Sequence, residues 1–223
     1  MSPDLELALS LADDADAIAL GSFRAHGLRV ETKPDLTPVS EADRAVETTL
    51  RARLARERPD EAVLGEEEGG GDAGGWILDP IDGTRNYTRG IPVWATLVAY
   101  ADRVAVISAP ALGRRWWAER GAGAFADGDP IAVSAVDRLE DATLLYALDR
   151  PPPALAYEAW HLRGFGDFWA HMLVAEGAAE VAVDAAGLKI WDWAPLKVIV
   201  EEAGGSYEGA VSWNGRLDVS ALT

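Results

Sequence analysis

The first apolar positions of the chain recur at intervals of three or four residues, which is the repeat of one face of a helix. Ser2 and Pro3 precede this stripe and suit an N-cap and a first helical turn. The pattern predicts a helix that runs to about Gly27. The apolar positions of its inner face are Leu5, Leu9, Ala12, Ala15 and Ala19.

A second helical stripe begins at Ser40-Glu-Ala-Asp43, which resembles a capping box. Two prolines in Lys33–Pro38 forbid a regular helix immediately before it. The sequence therefore predicts a helix whose first turn carries Asp43. A role for Asp43 in complementing the helix dipole alone stays open at this point. The predicted apolar face consists of Ala42, Val46, Leu50 and Leu54.

The middle of the chain changes to short apolar runs separated by turn residues, which is typical of strands. Pro80 and Gly83 are expected to end the strand that begins at Trp76, so that Asp79 and Asp82 emerge together at its exit. Gly121–Ala126 matches a dinucleotide-binding pattern superficially, but another strand follows, and we interpret it as a hairpin turn. The predicted strands are 62–64, 76–78, 93–101, 104–109, 114–119, 131–134 and 143–148.

The last third alternates predicted helices with a strand. Asp192 is expected to be the N-cap of the final helix, with Pro195 in its first turn and Gly204-Gly205 at its end. Pro151–Pro153 marks a possible subdomain boundary near residue 150 within a single domain of residues 1–223. The predicted elements are helices at 154–161, 168–176 and 193–203 and a strand at 179–183.

Composition indicates a globular protein, because 49% of the 223 residues are hydrophobic and 26% are charged. No apolar run is long enough to span a bilayer, so we expect no membrane association. The first residues lack the basic flank and apolar core of a secretory signal, so we expect a cytoplasmic location.

The charge balance restricts the partners further. A formal net charge of −17 would repel a nucleic-acid backbone, so we expect no nucleic-acid partner. A small phosphorylated substrate would also be repelled unless bound cations reversed the local field. The chain has no cysteine and only three histidines, so carboxylate oxygens are the main available ligands, which favours Mg²⁺ or Mn²⁺ over Zn²⁺.

Acidic residues follow two neighbouring predicted strands. Asp79 and Asp82 repel each other unless a cation lies between them, although Asp-Pro-x-Asp-Gly is also an ordinary turn sequence. Glu66 follows the preceding strand, and only a glycine-rich loop separates it from Trp76. This order predicts that Glu66 lies beside Asp79 in a shared sheet. We interpret the stretch as a metal and phosphate site.

With these motifs, the chain resembles the inositol-monophosphatase-like family of Mg²⁺-dependent, lithium-sensitive phosphatases. Further segments make it most similar to the histidinol-phosphatase branch of that family: Thr32–Pro38, Arg89–Ala95, Ser108–Ala111 with Arg115–Trp117, and Gly166–Phe168. The family motifs, in order, are Gly65-Glu-Glu67, Trp76-Ile-Leu-Asp-Pro-Ile-Asp-Gly-Thr84, Trp191-Asp-Trp-Ala-Pro195 and Glu202-Ala-Gly-Gly205.

The resemblance implies a fold, a cofactor and a set of site residues. The implied fold is a layered α-β-α-β-α sandwich of mixed α and β structure, and the implied assembly is a homodimer. Two or three Mg²⁺ ions are expected per site. One ion is assigned to Glu66, Asp79 and the carbonyl of Ile81, and a second to Asp79, Asp82 and Asp192.

The resemblance also assigns roles in the reaction. Asp43 and Thr84, together with Glu66, are expected to orient and deprotonate the attacking water. The amides of Gly83 and Thr84 are expected to bind the phosphate at a helix N-terminus. For Asp43 and Thr84 a purely structural role stays open, because helix capping uses the same residue types.

The expected reaction is hydrolysis of L-histidinol phosphate to L-histidinol and phosphate in histidine biosynthesis. Arg163, Asp167 and Asp184 are the candidate substrate residues, and an acid at Asp167 would favour a substrate with an ammonium group. Asp167 as a simple helix cap is the structural alternative. Hydrolysis of inositol monophosphate is the nearest functional alternative, and a catalytically weak regulatory or binding protein is a more distant one.

Overall fold

The computed structural model describes residues 1–34, 36–72, 74–147, 154–184, 187–220 and 222. Pro151–Pro153, and with it the predicted subdomain boundary, lies outside the described residues, as does the last position of the strand predicted at 143–148. No helix in the described ranges is both long and apolar enough to cross a membrane.

The helices of the described residues include two long ones near the N-terminus and one long one near the C-terminus. Two short 3₁₀ helices cover Leu139–Asp141 and Ala154–Glu158. The α-helices are α1 (Pro3–Ser22), α2 (Glu41–Glu57), α3 (Thr84–Thr88), α4 (Asp167–Ala175) and α5 (Ile190–Glu202).

The strands of the described residues form a hairpin and two larger sheets. The N-terminal ten strands are β1 (Val30–Thr32), β2 (Pro38–Ser40), β3 (Val63–Gly65), β4 (Gly69–Gly70), β5 (Trp76–Asp82), β6 (Ala95–Tyr100), β7 (Val104–Ala109), β8 (Arg114–Glu119), β9 (Gly123–Ala126) and β10 (Asp129–Ile131). The C-terminal five are β11 (Thr143–Tyr146), β12 (His161–Arg163), β13 (Val181–Val183), β14 (Ser206–Glu208) and β15 (Val211–Trp213).

The large sheet has the order β10-β9-β8-β7-β6-β5-β3-β4, and the small sheet has the order β12-β11-β13-β15-β14. Neighbours in the large sheet are antiparallel except β3 and β5, which run parallel. Because β3 and β5 are parallel neighbours, their carboxyl ends meet at one edge of the sheet. The prediction that the ends of these two strands lie side by side is confirmed.

The layers explain why β5 is almost continuously apolar. Trp76 and Leu78 pack against α1 and α2 on one face of the large sheet, whereas Ile77 packs against α4 and α5 on the other. A strand that is covered on both faces needs apolar side chains on both. The small sheet lies beyond α4, and its far face packs against the second 3₁₀ helix and the C-terminal segment. The predicted layered fold is confirmed.

Two predicted boundaries in the N-terminal half were wrong. Helix α1 ends at Ser22, not near Gly27, because Phe23 turns into an extended conformation and packs against Tyr87 and Trp94. Strand β5 continues through Pro80, which the sheet accommodates by a register shift between Asp79 and Asp82. The aromatic contacts and the shift arise from distant neighbours and leave no local sequence signal.

Other boundaries were wrong in the C-terminal half. The strand predicted at 131–134 ends at Ile131, and the amide of Val133 instead donates to the carbonyl of Ala203. The helix predicted at 154–161 is a 3₁₀ helix that ends at Glu158, since His161 begins strand β12. Helix α5 starts at Ile190, before the predicted start, so Pro195 lies beyond its first turn.

Candidate active site

The exit of β5 leads directly into the short helix α3. Gly83 joins them with φ of +81°, and a Cβ at this position would lie 3.1 Å from the carbonyl oxygen of Val93. Only glycine adopts this conformation without strain in so little space. Gly83 therefore allows the chain to turn while Asp79, Asp82 and Thr84 stay close together.

Asp43 reaches this turn from the first turn of α2. Its Oδ2 accepts hydrogen bonds from the amide of Ser40 at 2.9 Å and from the Ser40 hydroxyl at 2.5 Å, so the predicted capping box is confirmed. Its Oδ1 lies 3.3 Å from the hydroxyl of Thr84, which is also 2.9 Å from the Ile81 carbonyl. Asp43 thus caps the helix with one oxygen and faces Thr84 with the other.

Burial has an electrostatic consequence for Asp43. The side chain is fully buried, and burial raises the pKa of Asp43 above its ordinary value, with a further contribution from Glu66. The hydrogen bonds from Ser40 oppose this rise. A buried carboxylate with a raised pKa is suited to accept a proton.

Glu66 follows β3 and lies beside β5, since its amide donates to the carbonyl of Leu78 at 3.2 Å. Lys33 forms ion pairs with Glu66 at 2.7 Å and with Glu67 at 2.5 Å. Burial lowers the pKa of Lys33, but the two ion pairs outweigh burial and raise it overall. Glu66 also raises the pKa of Asp79, so the two acids interact as the strand order predicted.

Asp192 lies on α5, which packs on the other face of the large sheet from α2. The prediction that it is the N-cap was wrong, because the helix begins at Ile190 and Lys189 occupies the cap position. Asp192 is the third helical residue, and its Oδ2 accepts a hydrogen bond from the amide of Lys189 at 2.6 Å. This interaction orients the carboxylate towards the exit of β5.

Asp79, Asp82 and Asp192 form what we call the acidic centre: one carboxylate oxygen from each lies within 4.8 Å of the others. Burial, then Glu66 and the other two acids, raise the pKa of Asp79 well above its ordinary value. Burial, then Asp167 and Asp192, do the same for Asp82. Burial is the main cause that raises the pKa of Asp192 to about 6.

The acidic centre fits a divalent cation. In the described part of the chain, no lysine or arginine forms an ion pair with any of its three carboxylates, and the buried Oδ1 of Asp79 has no hydrogen-bond partner. Crowded acids without a cationic partner are stabilised by a metal ion, and oxygen ligands suit Mg²⁺. The carbonyl of Ile81 lies at the same turn, beneath the Thr84 hydroxyl.

Two candidate substrate residues lie next to the acidic centre. Asp167 begins α4, and the N-cap is Gly166, so Asp167 does not cap this helix. Its φ of +54° is unusual for a residue other than glycine. Burial, then the neighbouring charge of Asp184, raise the pKa of Asp167 to about 6, although Arg85 and His171 lower it.

Arg163 lies apart from this pair. It is exposed at the end of β12, and its guanidinium donates to the carbonyl of Leu162 at 2.8 Å. Asp184, in contrast, is buried and lies 3.6 Å from Nε2 of His171. Asp184 also lines a cavity of about 950 Å³ that extends along α5 to the β14–β15 hairpin.

Sequence reasoning missed two buried groups near the site. Glu47 is fully buried on α2 and accepts hydrogen bonds from the amides of Glu67 and Glu68. Its position four residues after Asp43 was an available signal, because residues so spaced share a helix face. His171 is fully buried, with Nδ1 2.8 Å from the Ser212 hydroxyl, and nothing local in the sequence indicates this contact.

Comparison with known proteins gives a consistent picture. The sequence matches the inositol monophosphatase family over residues 1–212. A histidinol-phosphatase from Mycobacterium tuberculosis is 45% identical over 252 residues, covering 99% of this chain and 96% of that protein. A histidinol-phosphatase from Streptomyces coelicolor is 44% identical over 254 residues, covering 96% and 93%.

Solved structures of the same fold are similar over almost the whole chain. An inositol monophosphatase from Zymomonas mobilis superposes with a TM-score of 0.83 at 30% identity, covering 100% of this chain and 98% of that one. The extragenic suppressor protein SuhB from Bartonella henselae gives a TM-score of 0.85 at 27% identity, with 96% and 95% covered.

Proposed function

The chain belongs to the inositol monophosphatase family and is a phosphomonoesterase, and we propose that it hydrolyses L-histidinol phosphate to L-histidinol and inorganic phosphate in histidine biosynthesis. The near-full-length similarity to two histidinol-phosphatases carries this proposal. The paired acids Asp167 and Asp184 beside the acidic centre support it, because histidinol carries an ammonium group.

Like the rest of its family, the enzyme depends on a metal, and we propose two or three Mg²⁺ ions per site. Glu66, Asp79 and the carbonyl of Ile81 would hold one ion, and Asp79, Asp82 and Asp192 a second. When bound, these ions supply positive charge for the phosphate and increase the acidity of the nucleophilic water. The orphaned oxygen of Asp79 supports this ligand set.

Asp43 and Thr84 would handle the proton of the attacking water. The Thr84 hydroxyl would accept a hydrogen bond from the water and would donate its own proton towards Oδ1 of Asp43, 3.3 Å away. The raised pKa of Asp43 favours proton acceptance, and burial keeps competing water away. Glu66 would help to orient and deprotonate the same water.

The amides of Gly83 and Thr84 would bind the phosphate oxygens. The first amides of a helix have no intrahelical acceptor, and Gly83 and Thr84 occupy the N-cap and first positions of α3. Since α3 is only five residues long, we attribute the interaction to these two N–H groups rather than to a helix dipole.

Selection of the alcohol would depend on Asp167 and Asp184, with Arg163 at the rim. Each acid raises the cost of ionising the other in a buried site, and a substrate ammonium relieves that repulsion. A neutral polyol offers no such compensation. A substrate with a positive charge near the phosphate is therefore favoured over inositol monophosphate.

A substrate panel tests this proposal. We expect the wild type, with Mg²⁺, to release phosphate faster from histidinol phosphate than from inositol 1-phosphate. Asp167→Asn should lower kcat/KM for histidinol phosphate about 10-fold, the equivalent of about 1.4 kcal/mol, and leave inositol 1-phosphate nearly unchanged. The exposed Asp129→Asn is the matched control. A wild-type preference for inositol 1-phosphate, or an unchanged preference in Asp167→Asn, would refute it.

The same panel separates the alternatives. Selective hydrolysis of inositol 1-phosphate would identify an inositol-1-monophosphatase. Mg²⁺ binding without phosphate release from any monoester would identify a catalytically weak binding or regulatory homologue. We also propose a cytoplasmic location, and, on the basis of the family resemblance, a single phosphatase domain and a homodimer. Sedimentation of the purified chain tests the dimer.

A further inference from the structure

Glu47 is a carboxylate with no exposed surface in an acidic protein, and its neighbours explain how it is tolerated. Its Oε2 accepts a hydrogen bond from the amide of Glu67 at 2.7 Å, and its Oε1 accepts one from the amide of Glu68 at 3.0 Å. Arg51, one helical turn later on α2, donates Nε to the same Oε1 at 2.8 Å. Both oxygens are therefore occupied by donors from this chain.

Because both of its oxygens accept hydrogen bonds from this chain, Glu47 is not a metal ligand itself. It does contact the residues that follow Glu66, the proposed metal ligand. Glu67 and Glu68 directly follow Glu66 in the turn between β3 and β4. Hydrogen bonds that two successive amides donate to a carboxylate hold a turn more strongly than hydrogen bonds between neutral groups do. Glu47 thus anchors the backbone immediately after Glu66.

Arg51 extends the anchor along the hairpin. Its Nη1 lies 3.4 Å from the carbonyl of Val63 in β3, and its Nη2 donates to the carbonyl of Gly69 in β4. Both ends of the turn are therefore held by one arginine. The same arginine neutralises Glu47, so this acid does not add its charge to the neighbouring acidic centre.

Gly65 provides the space that the anchor needs. A Cβ at this position would lie 2.2 Å from Oε1 of Glu47 and 2.8 Å from Nη2 of Arg51. The close approach of the backbone to the Glu47–Arg51 pair therefore requires glycine immediately before Glu66. This contact gives the Gly65-Glu66 dipeptide a structural reason in addition to the chemistry of Glu66.

We propose that Glu47 is a positioning residue that fixes the turn carrying Glu66 and thereby sets the affinity of the site for its divalent cation. One helix would then serve the site twice: Asp43 faces Thr84, and Glu47, four residues later, holds the metal-ligand turn. The inference rests on the proposed role of Glu66 as a metal ligand. Residues that orient a ligand typically change metal affinity by about 10–100-fold.

Metal binding by the purified metal-free chain tests the proposal directly. Calorimetric titration with Mn²⁺ alone, in the absence of substrate, should show an affinity about 10-fold weaker for Glu47→Gln than for wild type. A glutamine presents only one acceptor oxygen, and its NH₂ group would face a backbone N–H or Arg51. Glu57→Gln is the matched control, because Glu57 forms an i,i+4 pair with Arg53 on the same helix but does not contact the turn.

A merely structural role would give a different result. Partial unfolding lowers the number of sites per chain but leaves the affinity of the folded molecules unchanged, so an unchanged affinity in Glu47→Gln overturns the proposal. If Glu47→Gln does not fold, Arg51→Lys keeps the charge but loses the bonds to Val63 and Gly69. It should weaken Mn²⁺ binding by about 3-fold, less than the range of about 10–100-fold, because Glu47 itself stays in place. An unchanged Mn²⁺ affinity in Arg51→Lys would also overturn the proposal.

Two further arms separate this inference from the proposed function. Glu66→Gln should weaken Mn²⁺ binding at least as much as Glu47→Gln. If Glu66→Gln binds Mn²⁺ normally, the ligand assignment of Glu66 fails; if it binds weakly while Glu47→Gln binds normally, only the present inference fails. In phosphate release, Glu47→Gln should raise the Mg²⁺ concentration for half-maximal activity without changing KM at saturating Mg²⁺.

Discussion

Two acid-rich regions of the molecule differ in the groups that interact with their crowded carboxylates. Where α1 packs against the large sheet, Arg115 forms ion pairs with Asp13 at 2.8 Å and with Asp16 at 2.6 Å, and Ser108 donates to Asp16 at 2.7 Å. We call this group the paired seam. In the acidic centre, by contrast, backbone amides donate: Phe168 to Asp82 and Lys189 to Asp192.

The two regions differ in whether side chains of the chain itself offset the charge of the acids. Burial raises the pKa of Asp16, but Ser108 and Arg115 oppose that effect. In the acidic centre burial also raises each pKa, and the neighbouring carboxylates add to the effect instead of opposing it. In the paired seam the chain itself supplies a cationic partner, Arg115, although one buried oxygen of Asp16 has no hydrogen-bond partner. The acidic centre is complete only with positive charge from outside, which is the property expected of a metal site.

The strongest test removes one carboxylate of the acidic centre. Asp82→Asn should lower phosphate release at saturating Mg²⁺ by about 10³-fold, equivalent to about 4 kcal/mol of transition-state stabilisation. The same variant should be more stable than wild type in a metal chelator, because one repelling charge is lost while the amide of Phe168 keeps an acceptor. Activity and thermal unfolding are measured on the same samples.

Asp13→Asn in the paired seam is the control for Asp82→Asn. It should change neither activity nor metal-free stability appreciably, because Asp13 is largely exposed. If Asp82→Asn instead lowers the stability of the metal-free protein, the acidic centre is not a site of net repulsion, and the distinction between the two regions fails.

A second test removes the cation of the paired seam. Arg115→Met should destabilise the protein by about 2 kcal/mol, since it leaves Asp16 partly buried without its cationic partner. Turnover per folded molecule should be unchanged, because the seam lies outside the site. Urea unfolding with Mg²⁺ present measures the first effect, and steady-state kinetics the second. Asp16→Asn combined with Arg115→Met should recover part of the loss; additive losses would argue against the pairing.

The smallest expected effect is the pH dependence of the metal-free protein. The folded state raises the pKa of Asp192 from its ordinary value of 3.8 to about 6, so between these values the folded state binds more protons than the unfolded state. This group therefore contributes stability at low pH that is lost as pH rises from about 4 to 6, by about 1–2 kcal/mol. Asp192→Asn should remove that part of the dependence.

Thermal unfolding in chelator at pH 5 and pH 7 measures this effect. Asp192→Asn should be more stable than metal-free wild type at pH 7, and the difference between them should be smaller at pH 5. Added Mg²⁺ should stabilise wild type more at pH 7 than at pH 5, because the ions compete with protons for the same carboxylates. Equal stabilisation at both values would argue against the acidic centre as the metal site.

Local patterns predicted several elements at or near their observed bounds. The capping box at Ser40–Asp43, the hairpin of β6 and β7 and strand β8 were predicted correctly. Each depends on residues within one or two turns or on one hairpin, so the signal lies in adjacent sequence. The predictions failed at Phe23, Pro80 and Asp192, where partners from distant segments decide the conformation.

The sequence by itself determined the family, the chemistry available to the site and the identity of its acids, because each motif is a short run with a fixed order of residue types. Only the tertiary structure brought Asp192 to within 4.8 Å of Asp79 and Asp82, more than 100 residues earlier in the chain. It also revealed that Glu47 holds the turn after Glu66. Contacts of this kind depend on how helices and sheets pack, and packing joins segments whose local sequences carry no sign of each other.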